Sequence, residues 1–267
     1  MTRASLDGSR AVVTGSAGKL GPVWVGALLA AGADVTALVL EDTQDDVGLA
    51  KLADQYGSSL DILVADVSSR ADLEAALVHM ERKGGPPAVL VNNAGIDQPP
   101  VPGAGELLEH ISATTFLRIV EVNTVGAFQA MQVVGAAMAR AGHGSIVNVG
   151  SIYATVSPDM RMYDHLQTDP PFLKPPAYGA SKAGLLNLSR YFATHLAPHG
   201  VRVNSLSPGG VMGTQDEQFL SKFSARVPLG RLARPDELVG PLLFLASDDS
   251  SYVTGIDLKV DGGFTAW

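Results

Sequence analysis

Seven short apolar runs alternate with helix-length segments along the whole chain, and no other feature narrows the available folds so far. The runs are Arg10–Thr14, Asp34–Leu40, Leu60–Val64, Ala88–Val91, Ser145–Val149, Val201–Leu206 and Asp257–Val260. They are apolar almost throughout, which suits parallel strands covered on both faces. Helical segments lie between them at about Pro22–Ala31, Asp45–Tyr56, Ser69–Lys83, Thr114–Arg140, Tyr178–Leu196 and Asp236–Ala246. Strands that return in the same direction through helices build a doubly wound sheet. The expected class is therefore α/β, a parallel sheet of about seven strands with helices on both faces. No linker, charge block, low-complexity tract or fixed-period repeat divides the sequence, so residues 1–267 are expected to form a single domain. In such sheets ligands gather at the carboxyl ends of the strands, which singles out the loops after Thr14, Val91, Val149 and Leu206.

Composition removes several classes of function. The net charge of −8 and the lack of clustered Lys and Arg argue against a nucleic-acid surface. Without cysteine there are no disulfides, thiolate metal sites or cysteine nucleophiles. His195 and His199 stand four apart, but Pro198 lies between them and no acid flanks the first, so no metal site is expected. The start of the chain lacks the apolar core of a signal peptide, and no run approaches the length of a membrane span. The expected compartment is the cytoplasm, with no membrane partner.

The loop after the first strand reads Thr14-Gly15-Ser16-Ala17-Gly18-Lys19-Leu20-Gly21 and opens a helix. Glycines there give a tight turn and let backbone amides approach a pyrophosphate at the positive end of the helix. A dinucleotide is the expected guest, contacted by Gly15, Ser16, Gly18, Lys19, Leu20 and Gly21. The second strand ends Leu38-Val39-Leu40-Glu41-Asp42, with acids where an adenosine ribose would lie and no arginine for a 2′-phosphate. That favours NAD through Glu41, although Lys19 could hold an extra phosphate and keeps NADP as the alternative. These acids could equally be solvated strand-end charges. Asp66-Val67 follows the third strand, where the carboxylate either meets the adenine amine or caps the next helix. Asn92-Asn93-Ala94-Gly95 follows the fourth and has the composition of a loop bordering a ligand.

Tyr178-Gly-Ala-Ser-Lys182 opens a helix, and the four-residue spacing puts phenol and ammonium on one face. At about 4 Å and an effective dielectric of about 20, two charges interact by roughly 4 kcal/mol, enough to bring a phenol pKa from about 10 towards about 7. A tyrosine so placed serves as an acid/base near neutral pH.

Together these residues resemble the short-chain dehydrogenase/reductase family, a Rossmann fold, from Arg10 to the terminal Val260-Asp261-Gly262-Gly263. The pieces that match are the Thr14-Gly15 loop, Asp66, Asn92-Asn93-Ala94-Gly95, Asn123 in Val-Asn-Thr-Val-Gly, Ser151, Tyr178, Lys182 and Ser207-Pro208-Gly209. The resemblance implies a catalytic set of Asn123, Ser151, Tyr178 and Lys182. Tyr178 would exchange a proton with the substrate oxygen and Ser151 would hydrogen-bond it. Lys182 would bind the nicotinamide ribose and lower the Tyr178 pKa, and Asn123 would position a water. Further cofactor contacts implied are Glu41, Asp66, Val67, Asn93, Ala94, Gly95, Tyr178, Lys182, Pro208, Gly209, Val211 and Thr214. The chemistry is interconversion of a secondary alcohol and a ketone by hydride transfer. Two features depart from the family pattern. The cofactor loop has GxxGxxG spacing, with Lys19 where a glycine is usual. The threonine after Pro208-Gly209 comes one residue late, as Thr214.

Ser151 and Tyr178 stand 27 positions apart. The resemblance implies roughly fourteen inserted residues, and inserted loops commonly carry specificity. The insert, about 154–176, holds Asp159, Arg161, Tyr163, Asp164, His165 and Lys174 among prolines, with Tyr153 just before it. Such a mixture suits hydroxyls and carboxylates. The expected substrate is a small molecule: a sugar, sugar acid or polyol, met by Gln98, Tyr153, Arg161, Tyr163 and Gly210. The alternatives are a reductase of 3-oxoacyl thioesters and a dinucleotide-binding redox sensor without turnover. The apolar helix Thr114–Arg140 suits packing, and the family pairs it with the Tyr178 helix between subunits, which implies a homodimer or homotetramer.

Overall fold

A computed structural model of the protein describes residues 5–43, 46–97, 105 and 107–267. Seven strands form one parallel sheet: β1 Arg10–Thr14, β2 Asp34–Val39, β3 Leu60–Val64, β4 Val89–Asn92, β5 Gly144–Val149, β6 Val201–Pro208 and β7 Asp257–Val260. Their order is β3-β2-β1-β4-β5-β6-β7, so the chain runs outward one way from β1 and then the other way from β4. The switch point lies between β1 and β4, where two neighbouring loops leave in opposite directions and open a crevice. Register brings the ends level, since Thr14 pairs with Asn92 and Asn92 with Asn148. The four loops singled out above therefore share one edge.

The helices are α1 Gly21–Ala30, α2 Val47–Tyr56, α3 Arg70–Gly84, α4 Ala113–Val120, α5 Ala127–Ala141, α6 Pro176–Leu196, α7 Glu217–Ser224 and α8 Val239–Ala246. Successive residues of a strand face opposite sides, so Ala11 and Val13 join a core with α1, α2 and α8, whereas Val12 joins one with α3, α5 and α6. A polar chain crosses the second core. Asn92 Nδ2 donates to Asn148 Oδ1 and Asn148 Nδ2 to Ser189 Oγ, both at 2.8 Å.

Two expectations need correction. The helix expected at Thr114–Arg140 is interrupted by a π-helical stretch, Glu121–Gly126. Helix α7 has no counterpart in the periodicity reading because it is short and only Phe223 is fully buried. Residues 152–175 carry only two short 3₁₀ turns, Ile152–Ala154 and Met160–Met162, yet they are not solvated throughout. Ile152, Met162, Tyr163 and Phe172 pack with Phe223, Val227, Leu232 and Phe264 into a third core. That core fastens the segment to α7 and forms one wall of the crevice.

Candidate active site

A cavity of about 1350 Å³ follows the carboxyl edge of the sheet from the end of β2 to the segment before α6. Its floor is the β1–α1 loop. Gly15 has φ +62°, and a Cβ there would lie 2.6 Å from Ala94 Cα, so only glycine lets the first and fourth loops touch. A Cβ at Gly21 would lie 2.1 Å from the Ser16 carbonyl oxygen. No side chain caps α1 and no acid stands in its first turn, which leaves its positive end open to an anion. Lys19 reaches across the crevice and donates to the Val211 carbonyl at 3.1 Å. Burial lowers its pKa, against an opposing pull from Asp97. Asn93 is braced by the Trp24 indole, which donates to Oδ1 at 2.8 Å, and donates through Nδ2 to the Gly15 carbonyl at 2.8 Å. These features fit a dinucleotide.

Ser151, Tyr178 and Lys182 line the same cavity beside the β5 end. Ser151 ends the extended segment after β5 and is buried; its hydroxyl is hydrogen-bonded to the Tyr178 phenol. Lys182 lies one turn along α6 from Tyr178, with Nζ 5.9 Å from the centre of its ring and donating to the Val149 carbonyl at 2.8 Å. Asn123 sits in the π-helical stretch, a deviation frequent at functional sites. Its Oδ1 accepts from Ile96 N at 2.6 Å, and its Nδ2 donates to the Ile96 carbonyl and Ser181 Oγ, each at 3.0 Å. Its side chain thus pins the Gly95–Ile96 loop beside Lys182 and stays behind the cavity wall.

The expected acidic phenol is not what this environment produces. Burial pushes the Tyr178 phenol above its ordinary value, the Asp97 carboxylate adds to the rise, and the Ser151 hydrogen bond pulls only partly the other way. Lys182 is itself desolvated, its own pKa falling to about 8. An estimate from charge separation alone leaves out the cost of burying a phenolate.

Placement of the remaining residues is mixed. Gly18, Leu20, Val67, Ala94, Gly95, Pro208, Gly209, Val211 and Thr214 line the cavity with Gly15, Lys19 and Asn93. Ser16 does not, since its hydroxyl turns inward to the Val13 carbonyl at 2.8 Å; Gly21 serves the close packing described above. Asp66 lines the cavity, its Oδ1 accepting from the Ser68 hydroxyl at 2.7 Å, and Ser69 rather than Asp66 caps α3. Burial raises the Asp66 pKa, but the Ser68 hydrogen bonds outweigh it and the group ends below its ordinary value. Glu41 needs correcting: β2 ends at Val39 and a 3₁₀ turn, Glu41–Thr43, carries the acid to the exposed surface, leaving Leu40 and Thr43 as the wall.

At the substrate end Tyr153, Tyr163 and Gly210 line the cavity, while Gln98 lies outside the described residues. Arg161 is also corrected. Its side chain is 84% exposed and pairs with Asp159 at 2.8 Å, outside the cavity. The acids Asp164 and Asp159 also pair outside the cavity, with Lys222 and Arg226, whereas Lys174 turns inward and lines it. Beside Gln167, Thr168 and Lys174, the inner wall carries Tyr153, Tyr163, Leu166 and Phe219, more aromatic than the composition of the insert suggests. Sequence reasoning misses Asp97 and Arg118, which also line the cavity; the Thr214–Ser224 stretch, read from the sequence as a loop bordering the substrate, contributes Phe219 from helix α7. Asp97 follows Asn93-Ala94-Gly95 closely enough to have been found. Among the described residues no three acids or histidines are grouped to hold a metal, and no helix is long and apolar enough to cross a membrane.

Comparison with known proteins agrees with this geometry. The family profile described as Enoyl-(Acyl carrier protein) reductase matches residues 20–265. Galactitol 2-dehydrogenase of Rhizobium johnstonii is 33% identical, over 98% of this chain and 97% of its own. The L-tagatose-forming galactitol 2-dehydrogenase of Cereibacter sphaeroides is 36% identical, with the same coverage. The 3-oxoacyl-(acyl-carrier-protein) reductase of Thermotoga maritima is 32% identical over 97% of this chain and 98% of its own. Among solved structures, a gluconate 5-dehydrogenase from Burkholderia cenocepacia in complex with NADP and tartrate superposes with a TM-score of 0.85 at 30% identity, covering 99% and 98% of the two chains. A short-chain dehydrogenase from Leptospira borgpetersenii with bound NAD+ gives 0.83 at 32% identity, covering 97% and 93%. With the sheet order, the β1–α1 loop and the serine, tyrosine and lysine all in the expected relation, and relatives matched from end to end, this protein belongs to the short-chain dehydrogenase/reductase family.

Proposed function

We propose that the protein is an NAD(P)-dependent dehydrogenase that interconverts a secondary alcohol and a ketone on a polyol or sugar-like substrate. The observation that carries this reading is the meeting of Ser151, Tyr178 and Lys182 in the cavity that also takes in the open end of α1. The galactitol and gluconate activities of the relatives point to the same substrate class. Tyr178 is the acid/base: in oxidation it takes the hydroxyl proton, and in reduction its neutral phenol gives a proton to the ketone oxygen. Ser151 hydrogen-bonds that oxygen, and Lys182 would hold the cofactor ribose beside the phenol. Asn123 is a positioning residue for the Gly95–Ile96 loop. The nicotinamide, when bound, accepts or supplies the hydride.

Gly15, Gly18, Lys19 and the start of α1 would hold the pyrophosphate, with Asp66 and Val67 at the adenine. NAD is our reading for the cofactor, because Leu40 and Thr43 wall the cavity past β2 and no described cation stands at that wall for a 2′-phosphate. Residues 1–267 act as one domain, with about 154–176 as the substrate loop. Exposed Leu117 and Tyr191 support a homodimer or homotetramer through α4 and α6.

Replacing Tyr178 by Phe tests the reading. Turnover should fall about 100- to 10,000-fold, with cofactor affinity by fluorescence titration held within about twofold of wild type because Phe keeps the ring and loses one hydroxyl out of many cofactor contacts. Near-wild-type turnover refutes the assigned role. Reduction of a 3-oxoacyl thioester is the second reading, favoured by Phe219 and Phe223 in the cavity wall. Side-by-side rates on galactitol and an acetoacetyl thioester separate the two.

A further inference from the structure

The substrate end of the cavity contains an ion pair that the motifs do not supply. Lys174, from the segment before α6, has only 6% of its side chain exposed, and its Nζ lies 2.6 Å from Asp97 Oδ2. The same ammonium stands 5.5 Å from the centre of the Tyr178 ring. Asp97 comes from the opposite wall, just beyond the loop that Asn123 pins. Its charge is felt by Tyr153, Tyr163 and Tyr178, so the pair lies among the hydroxyls at which a substrate would react.

Among the described residues four cations line the cavity: Lys19, Arg118, Lys174 and Lys182. Three have partners of their own. Lys19 is held by the Val211 carbonyl, Arg118 by Glu121 at 2.8 Å, and Lys182 by the Val149 carbonyl. Lys174 is the fourth and already has a counter-ion. A buried ammonium gives up its carboxylate only at large cost, so a substrate carboxylate would arrive to find its cation neutralised and a like charge beside it. A neutral polyol meets the opposite situation. A carboxylate accepts and an ammonium donates, so the pair offers both kinds of partner to substrate hydroxyls.

We propose that the Asp97–Lys174 pair determines specificity at the substrate end and selects an uncharged polyol over a sugar acid. Asp97 accepts from substrate hydroxyls and Lys174 donates to them. This rests on the reading of the protein as a polyol or sugar dehydrogenase and narrows it.

The test is steady-state kinetics on galactitol and D-gluconate for wild type, Asp97→Asn and Lys174→Met, with whichever nicotinamide cofactor the wild type uses. Wild type should favour galactitol. Asp97→Asn keeps the shape but leaves Lys174 uncompensated. It should lower kcat/KM for galactitol about tenfold to a hundredfold, the span of a hydrogen bond to a charged group, while raising kcat/KM for gluconate above wild type. Lys174→Met removes the ammonium from the substrate end and should penalise gluconate more than galactitol, moving the ratio the other way. A merely structural pair would lower both substrates alike. Ratios within about twofold of wild type in either folded variant overturn the inference, as does a wild-type preference for gluconate, which leaves the broader reading standing. A wild type inert on polyols and sugar acids alike, yet active on the thioester, overturns both.

Discussion

Lys182 is buried as a cation, and that burial should appear in the stability of the protein as well as in its catalysis. Its side chain is 4% exposed, and desolvation brings its pKa from 10.5 to about 8 against a small opposing pull from Asp97. At pH 7 such a group costs the fold about 3 kcal/mol relative to an unfolded chain in which it titrates normally. Lys182→Met removes the charge at similar length. It also leaves the Val149 carbonyl without the hydrogen bond that Nζ supplies at 2.8 Å, a loss of about 1–2 kcal/mol. The variant should therefore be more stable than wild type by about 1–2 kcal/mol at pH 7 while losing turnover. The advantage fades as pH rises. Because the folded pKa lies below the unfolded one, the unfolded chain holds more protons between about 8 and 10.5, so wild-type stability gains as pH rises. By pH 9.5 the cost of the lysine falls to about 1 kcal/mol and the advantage of the variant shrinks by about 2 kcal/mol. Urea unfolding of both proteins at pH 7 and 9.5 measures the difference, in which other titrations common to both cancel. A difference that does not change with pH, or a variant clearly less stable at pH 7, would refute the reasoning.

Two further outcomes follow from packing. Gly15→Ala places a methyl 2.6 Å from Ala94 Cα at φ +62°, which should cost about 2–4 kcal/mol in denaturant unfolding and weaken cofactor binding; wild-type behaviour would mean the two loops do not meet so closely. Asn148→Ala removes the acceptor for Asn92 and the donor to Ser189 in the buried polar chain. It should cost about 2–4 kcal/mol and leave KM for substrate and cofactor unchanged, because Asn148 does not line the cavity.

Strand by strand, the apolar runs located the sheet well because burial on both faces is a local property of sequence. The β1–α1 glycines were equally readable, since a positive φ and a close approach leave few residue types to choose from. The insert was read less well. Its charged residues suggested a polar substrate surface, but Arg161 and Asp159 pair on the exterior while Tyr163 and Phe172 turn inward. Composition does not say which side of an irregular loop faces a cavity, because no repeating period ties position to direction. Glu41 failed for a related reason: whether a strand-end acid faces a crevice depends on how the chain turns after Val39.

What the order of residues settled unaided was the α/β class, the glycine loop and the pairing of Tyr178 with Lys182 one helical turn apart, all consequences of backbone periodicity over a few residues. Only the folded chain decided the protonation of that pair and the charge of the substrate end. Both depend on groups distant in sequence, Asp97 and Lys174 being 77 positions apart, and on how much water burial removes from around them. Electrostatic energy is set by distance and solvent exclusion in three dimensions, and neither can be summed along a sequence.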